Sequence, residues 1–173
     1  MALKKKFFNV ELENLNLPVP ILASNPENIV GQVIRYDLTK LLRGKNCEAR
    51  FKIQKDGERL IGVTYFFMLQ PAFIKKMIGR NISIVEDSFL VKCKDASLRI
   101  KPFLITRKRV HRSVRNHLRR IAKEFITQSI SELTKQKVFQ EIISSSLQRA
   151  LSKKLKEIYP LAICEIRVVK LEN

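Results

Sequence analysis

The stretch "EARFKIQKDGERLIGVTYFFML", Glu48 to Leu69, constrains this chain more than any other. Two strand-forming runs meet at Asp56-Gly57, a dipeptide that favours the positive φ of a tight hairpin turn. The centre of the chain is thereby committed to antiparallel ribbon, with "LIGVTYFFML" its buried strand. Ahead of it, "IVGQVIRYDL" from Ile29 reads as another strand. Behind it, "PAFIKKMIGR" places Pro71 at the start and Gly79 past the end of a two-turn helix. "ISIVEDSFLVKCKDASLRIKPFLI" returns to strand, with a turn at Lys94 to Ser97 where Asp95 can satisfy backbone groups. About five strands are expected before residue 106.

Helical spacing then takes over. One helix is expected from Thr106 or Ser113 to Leu133. A second helical region carries Val138, Ile142, Leu147, Leu151, Leu155 and Ile158, with a break at Ser144 to Ser146. Pro160 ends it, and the β-branched "ICEIRVVKL", Ile163 to Leu171, reads as a closing strand. Strands, then helices, then a last strand make an α+β domain with a mostly antiparallel sheet. Residues 1–28 hold a lysine cluster and the proline-broken "NLPVPILASNPEN", which reads as an extended N-terminal arm. Residues 29–173 form one domain, because 173 residues with 45% hydrophobic content suit a single core.

Charge narrows the function. Thirty-four Lys and Arg against sixteen Asp and Glu leave +18, a self-repelling surplus that a polyanion would neutralise. No run is long enough to cross a membrane, and the start breaks into acids before a signal-peptide core can form, so a cytoplasmic protein is expected. Cys47, Cys93 and Cys164 are odd in number and scattered, which fits packed reduced thiols rather than a disulfide framework or zinc site.

The surplus concentrates in "LITRKRVHRSVRNHLRRIAKEFI", where six arginines, two lysines and two histidines meet one acid, Glu124. On a helical wheel Val114, Leu118, Ile121 and Phe125 share a narrow arc, the expected core face. Lys108, Arg109, Arg112, Arg115, Arg119, Arg120 and Lys123 lie on the other side, and Arg107 extends the run. A merely solvated face would mix in acids, since like charges at i,i+4 repel, and cations near a helix N-terminus cost about 0.3–1 kcal/mol. Phosphates remove both penalties: helix N-termini bind anions and arginine forks onto phosphate oxygens. Lys4, Lys5, Lys6, Arg43, Lys45, Arg99 and Lys101 would extend this footprint, although each alone suits a solvated role. Ile126 and Ile130 fall near the basic arc and require an apolar contact there, from another helix or a protein neighbour.

Catalytic and metal chemistry find no material. His111 and His117 are six apart and do not converge as an i,i+4 pair would, while adjacent Glu86 and Asp87 suit a turn better than an acid–base pair. None of the phosphate-loop, dinucleotide, nucleophile-elbow or zinc-helix motifs occurs. The chain reads as a non-enzyme without cofactor or metal. The segment before Thr106 is strand, which does not fit a helix-turn-helix, and "LRIKPFLI" lacks the stacking motif of an RNA-recognition domain. Basic residues spread over an arm, a sheet and a helix suit a protein that wraps folded RNA by its backbone. A membrane-surface role for the amphipathic helix is disfavoured, because its apolar stripe is needed by the core.

Four stretches, in order, resemble the archaeal and eukaryotic small-subunit ribosomal protein family S-three-a-e, also written e-S-one: "KKKFFNV", "ASNPENIVGQVIRYDLTKLL", "ITRKRVHRSVRNHLRRIAKEFI" and "IYPLAICEIRVVKLEN". The archaeal branch is nearer, since lysine-rich tails are missing. The resemblance implies a barrel-like sheet and a structural protein on the ribosomal platform near the messenger exit. Its implied partners are small-subunit ribosomal RNA, neighbouring ribosomal proteins including the universal S-eleven type, and messenger RNA at the exit. A free RNA-binding or ribosome-assembly factor remains the alternative reading.

Overall fold

The computed structural model describes residues 5–172 except 16, 43 and 58; Lys4 and Arg43 therefore lie outside the described residues. Its backbone is the expected hairpin. Strand β4 (Cys47–Asp56) pairs with β5 (Arg59–Leu69) from Cys47 opposite Leu69 to Asp56 opposite Arg59, and Gly57 turns the chain at φ 59°. Cys47, Ala49, Phe51 and Ile53 alternate inward along β4. Between Arg50 and Phe51 the register shifts, leaving Tyr65 as an extra residue on β5. That bulge moves the inward set of β5 from Leu60 and Thr64 to Phe67 and Leu69, so both halves stay buried along the strand.

β3 (Val33–Asp37) lines the outer side of β4. The opposite edge of β5 is shared. β1 (Lys6–Leu12) runs parallel to it at Leu60–Gly62, and β9 (Leu161–Glu172) runs antiparallel to it at Phe66–Met68. β2 (Leu17–Ala23) pairs with β1 along its whole length. β8 (Ser97–Thr106) pairs with β9, and its far edge receives β6 (Ile84–Glu86) and β7 (Phe89–Lys92). All these pairings except β1–β5 are antiparallel.

Three expectations are corrected here. The proline-rich segment expected as an extended arm is part of the sheet, because β1 and β2 form a hairpin paired to β5. Pro18 and Pro20 are two apart on an edge strand, so their missing N–H groups fall on one edge, where no ladder is broken. Among the described residues, eight strands rather than about five precede the basic helix, two from this hairpin and short β6 and β7 from one run. The sheet is also not a barrel. Its pairing stops at β2, β3, β6 and β7 among the described strands, and β5 is split between two neighbours instead of closing a ring.

Helix α1 (Pro71–Met77) follows β5 directly. The remaining three, α2 (Arg112–Ser131), α3 (Lys135–Ile143) and α4 (Ser146–Lys156), fill the gap between β8 and β9 in sequence. The expected break falls between α3 and α4, where Ser145 takes a left-handed φ of 58°. α2 packs against β6, β7 and α4, and α4 packs against β9. One large cluster joins the sheet to all three helices, and a small second cluster of Val10, Ile29, Ile53 and Leu60 ties the N-terminal hairpin down.

The buried stripe of α2 is Leu118, Ala122, Ile126 and Ile130, every fourth residue. Val114, Ile121 and Phe125 of the expected arc are only half-buried. Because the helix packs against both strands and α4, its apolar face must be wider than one arc. Ile126 and Ile130 are thus buried in this chain's own main cluster rather than kept for a neighbour.

Candidate nucleic-acid interface

The basic surface begins in a loop, not in the helix. β8 ends at Thr106, which is fully buried, and α2 starts at Arg112; Arg107, Lys108 and Arg109 lie between, all exposed. One residue far away in sequence holds this loop. The Thr106 N–H donates to the Ser83 carbonyl at 3.0 Å, and Thr106 Oγ1 accepts from the Ser83 N–H at 3.0 Å. Thr106 Oγ1 donates in turn to the Lys108 carbonyl at 2.7 Å, while the Val110 N–H donates to Ser83 Oγ at 3.0 Å. Both ends of the cationic loop are pinned, so ordering it on a ligand costs less. Sequence reasoning missed Ser83 and Thr106, since nothing periodic links residues 23 apart.

Arg112, Arg120 and Lys123 continue the surface on exposed positions of α2, and Arg115 and Arg119 are half-buried. The first turn of α2 contains no acid, and His111 at the N-cap gives no side-chain cap. Its leading N–H groups therefore face outward with their partial positive charge. Arg119 is aimed by neutral groups: Nε donates to the Glu86 carbonyl at 3.2 Å and Nη1 to Asn116 Oδ1 at 3.1 Å. Lys123 Nζ lies 5.8 Å from the centre of the Phe89 ring. Neither arrangement cancels charge. Among the described residues a single ion pair touches the stretch Arg107–Lys123, Arg120 with Glu124 at 4.0 Å, and both of its side chains are mostly exposed. Such a pair contributes little. Among the described residues, no carboxylate from elsewhere in the fold forms an ion pair with this surface.

The other candidates divide. Lys45 Nζ contacts Glu165 at 2.5 Å, and Arg99 Nε contacts Glu172 at 2.5 Å. The Arg99 hydrogen bond holds the Glu172 carboxyl below its usual range, and Glu172 raises Arg99 in turn. Both cations are thus matched inside the chain. Lys101 is half-buried and borders a pocket shared with Glu86, Asp87 and Arg167. Lys5 and Lys6 are exposed, but they sit elsewhere. β1 meets β5 beside the Gly57 turn, whereas β8 runs out to Arg107 beyond the opposite end of β5. The fold brings Arg107 to Lys123 together and leaves these two lysines apart.

His111 and His117 are exposed. Glu86 pairs with Arg167 at 3.3 Å, and Asp87 Oδ1 accepts the Ser88 N–H at 2.8 Å in the expected turn. Among the described residues, no group of three or more His, Cys, Asp and Glu converges as metal ligands would. No helix there is long and apolar enough to cross a membrane. The three cysteines are free, and burial pushes the Cys47 and Cys164 thiols up to about 12.

A sequence model described as the Ribosomal S3Ae family matches residues 3–173. The chain belongs to that family. Relatives named small ribosomal subunit protein eS1 include that of Saccharolobus islandicus, 32% identical over 158 residues, spanning 86% of this chain and 76% of the relative. The Desulfurococcus amylolyticus protein of that name is 27% identical over 154 residues, 86% of this chain and 72% of its own. That of Nanoarchaeum equitans is 26% identical over 155 residues, 87% and 78% respectively. These S3Ae relatives are archaeal. The S3Ae match takes in the N-terminal hairpin and the closing strand alike, so it concerns the whole sheet and not the basic helix alone.

Proposed function

We propose that this chain is a structural constituent of the small ribosomal subunit and acts in translation without catalysing a reaction. In this reading it binds ribosomal RNA through the loop Arg107–Arg109 and the outward face of α2. The observation that carries it is that, among the described residues, eight clustered cations share a single exposed acidic mate, in a sequence matched to the Ribosomal S3Ae family along almost its full length. Arg107, Lys108, Arg109, Arg112, Arg115, Arg119, Arg120 and Lys123 neutralise phosphates, and the α2 N-terminus adds backbone N–H groups to the same anions. Lys5 and Lys6 serve a second, separate contact. Lys45 and Arg99 are secondary, because binding RNA would cost them their carboxylates. The finer placement we propose is the platform near the messenger exit, beside ribosomal proteins of the universal S-eleven type and within reach of messenger RNA.

Three measurements test this. A tagged chain should stay with small subunits sedimented in high salt, whereas a visiting assembly factor would wash off. Replacing Arg112 and Arg120 by Ala should weaken binding to small-subunit RNA across sequences and lower the slope of log affinity against log salt by about 2. An unchanged slope would remove these residues from the interface. Crosslinks from α2 to RNA far from the messenger exit would overturn the platform placement.

A further inference from the structure

We infer that Arg109 and Arg115, together with Ser83 and Asn81, form a seat for one phosphate group of the bound RNA, which sets the register of the RNA on the protein. The inference rests on the RNA reading above and goes beyond it. Charge alone would let the RNA slide along the basic face, and a seat would stop it at one position.

The geometry is a surface pocket of about 420 Å³ lined by Asn81, Ile82, Ser83, Ile84, Arg109, Val110 and Arg115. Two guanidinium groups border it and no carboxylate does, and neither arginine has an ion-pair partner among the described residues. Arg115 Nε is shielded from water yet donates to no acceptor. Buried donors of this kind are rare in folded proteins, because the lost hydration is not repaid until a partner arrives. Ser83 is 7% exposed; its oxygen accepts the Val110 N–H, and its own proton has no acceptor among the described residues. The pocket thus holds unmet donors and excess positive charge on a frame fixed by the Ser83–Thr106 hydrogen bonds.

A tetrahedral anion with several acceptor oxygens answers this set, since it can take a bidentate arginine and a hydroxyl at once. An acidic side chain of a protein neighbour would satisfy the pocket but leave Arg107, Lys108 and Arg112 beside it unmatched. A phosphodiester chain continues to them.

Arg115→Lys keeps the charge but removes the Nε–H and the fork. It should weaken binding of the full-length chain to deproteinised archaeal small-subunit RNA about tenfold, with the salt slope unchanged. Arg109→Lys, on an exposed residue whose change cannot unfold the chain, should also lose severalfold. Arg59→Lys, on an exposed residue beside the Gly57 turn and away from the basic face, should change affinity less than twofold. If Arg109→Lys and Arg115→Lys behave like Arg59→Lys, there is no seat. Failure of the RNA reading itself shows differently, as unchanged affinity in Arg112→Ala and Arg120→Ala. In a parallel titration, the ¹⁵N-labelled arginine Nε–H signal of Arg115 should respond to inorganic phosphate and not to chloride. If inorganic phosphate binds tightly there while Arg115→Lys leaves RNA affinity unchanged, the pocket serves free phosphate and the proposal falls.

Discussion

At the scale of single residues, the interface depends on groups that carry no charge. Thr106 is buried and shares its hydroxyl between the Ser83 N–H and the Lys108 carbonyl. Thr106→Val keeps the shape and strands both partners, so it should cost about 1–3 kcal/mol in urea unfolding and weaken RNA binding by freeing the loop. Thr106→Ser should restore most of both, and an unaltered midpoint in the valine variant would show that the hydrogen bonds are not limiting. The cysteines give a second test. Because burial raises Cys47 and Cys164 to about 12, the folded chain keeps them as thiols where an unfolded chain ionises near 9. Stability should therefore fall as pH rises between about 9 and 12. Native protein at pH 8 should be labelled by a thiol-specific disulfide reagent at neither residue, while denatured protein is labelled at both. The arginine cluster was readable from sequence because charge is additive and needs no fold to be counted. Ser83 was not, since its part in the loop arises only when β6 and β8 come together.

At the scale of elements, helices and long strands were legible where one periodicity ruled, and lost where two neighbours competed. The wheel for α2 gives an arc of four residues, yet the helix buries Leu118, Ala122, Ile126 and Ile130 because strands and α4 both pack against it. Ile126→Ala should accordingly cost about 2–5 kcal/mol, and Ile121→Ala, on a half-buried position, clearly less. Equal losses in denaturant titrations would restore the narrower arc. The N-terminal hairpin was missed for a related reason. Its prolines forbid a central strand but permit an edge, and only the partner strand reveals which applies. The hairpin docks through Gly62, where an added Cβ would lie 2.8 Å from Leu12 Cδ2 and 3.3 Å from Phe51 Cβ. Leu12 is itself buried at 1% exposure, so it has little room to give. Gly62→Val should then loosen β1 from β5, detected as faster amide exchange at Val10 to Leu12, with the β4–β5 pairing little changed.

At the scale of the whole molecule, α+β and antiparallel character followed from the order of elements, while openness of the sheet did not. Closure depends on β5 offering one continuous edge, and instead that edge is divided between β1 and β9. The same scale sets how the chain responds to salt, where two effects oppose each other. A surplus of 18 positive charges repels itself, and added salt relieves that repulsion. Salt also weakens attractive pairs, but those of the described residues that could suffer, such as Lys154–Glu157 and Arg167–Glu86, are substantially exposed and contribute little. Repulsion should win. The thermal midpoint of the free chain is expected to rise by a few degrees between about 50 and 500 mM sodium chloride, a span over which the screening length shrinks roughly threefold. A short RNA at low salt should raise it further, because bound phosphates supply counter-charge where cations are densest. Arg112→Ala with Arg120→Ala should flatten the salt response of the free chain, since those charges cause part of the repulsion. A midpoint that falls with salt would mean that ion pairs outweigh self-repulsion, and the basic face would then need a partner inside the chain.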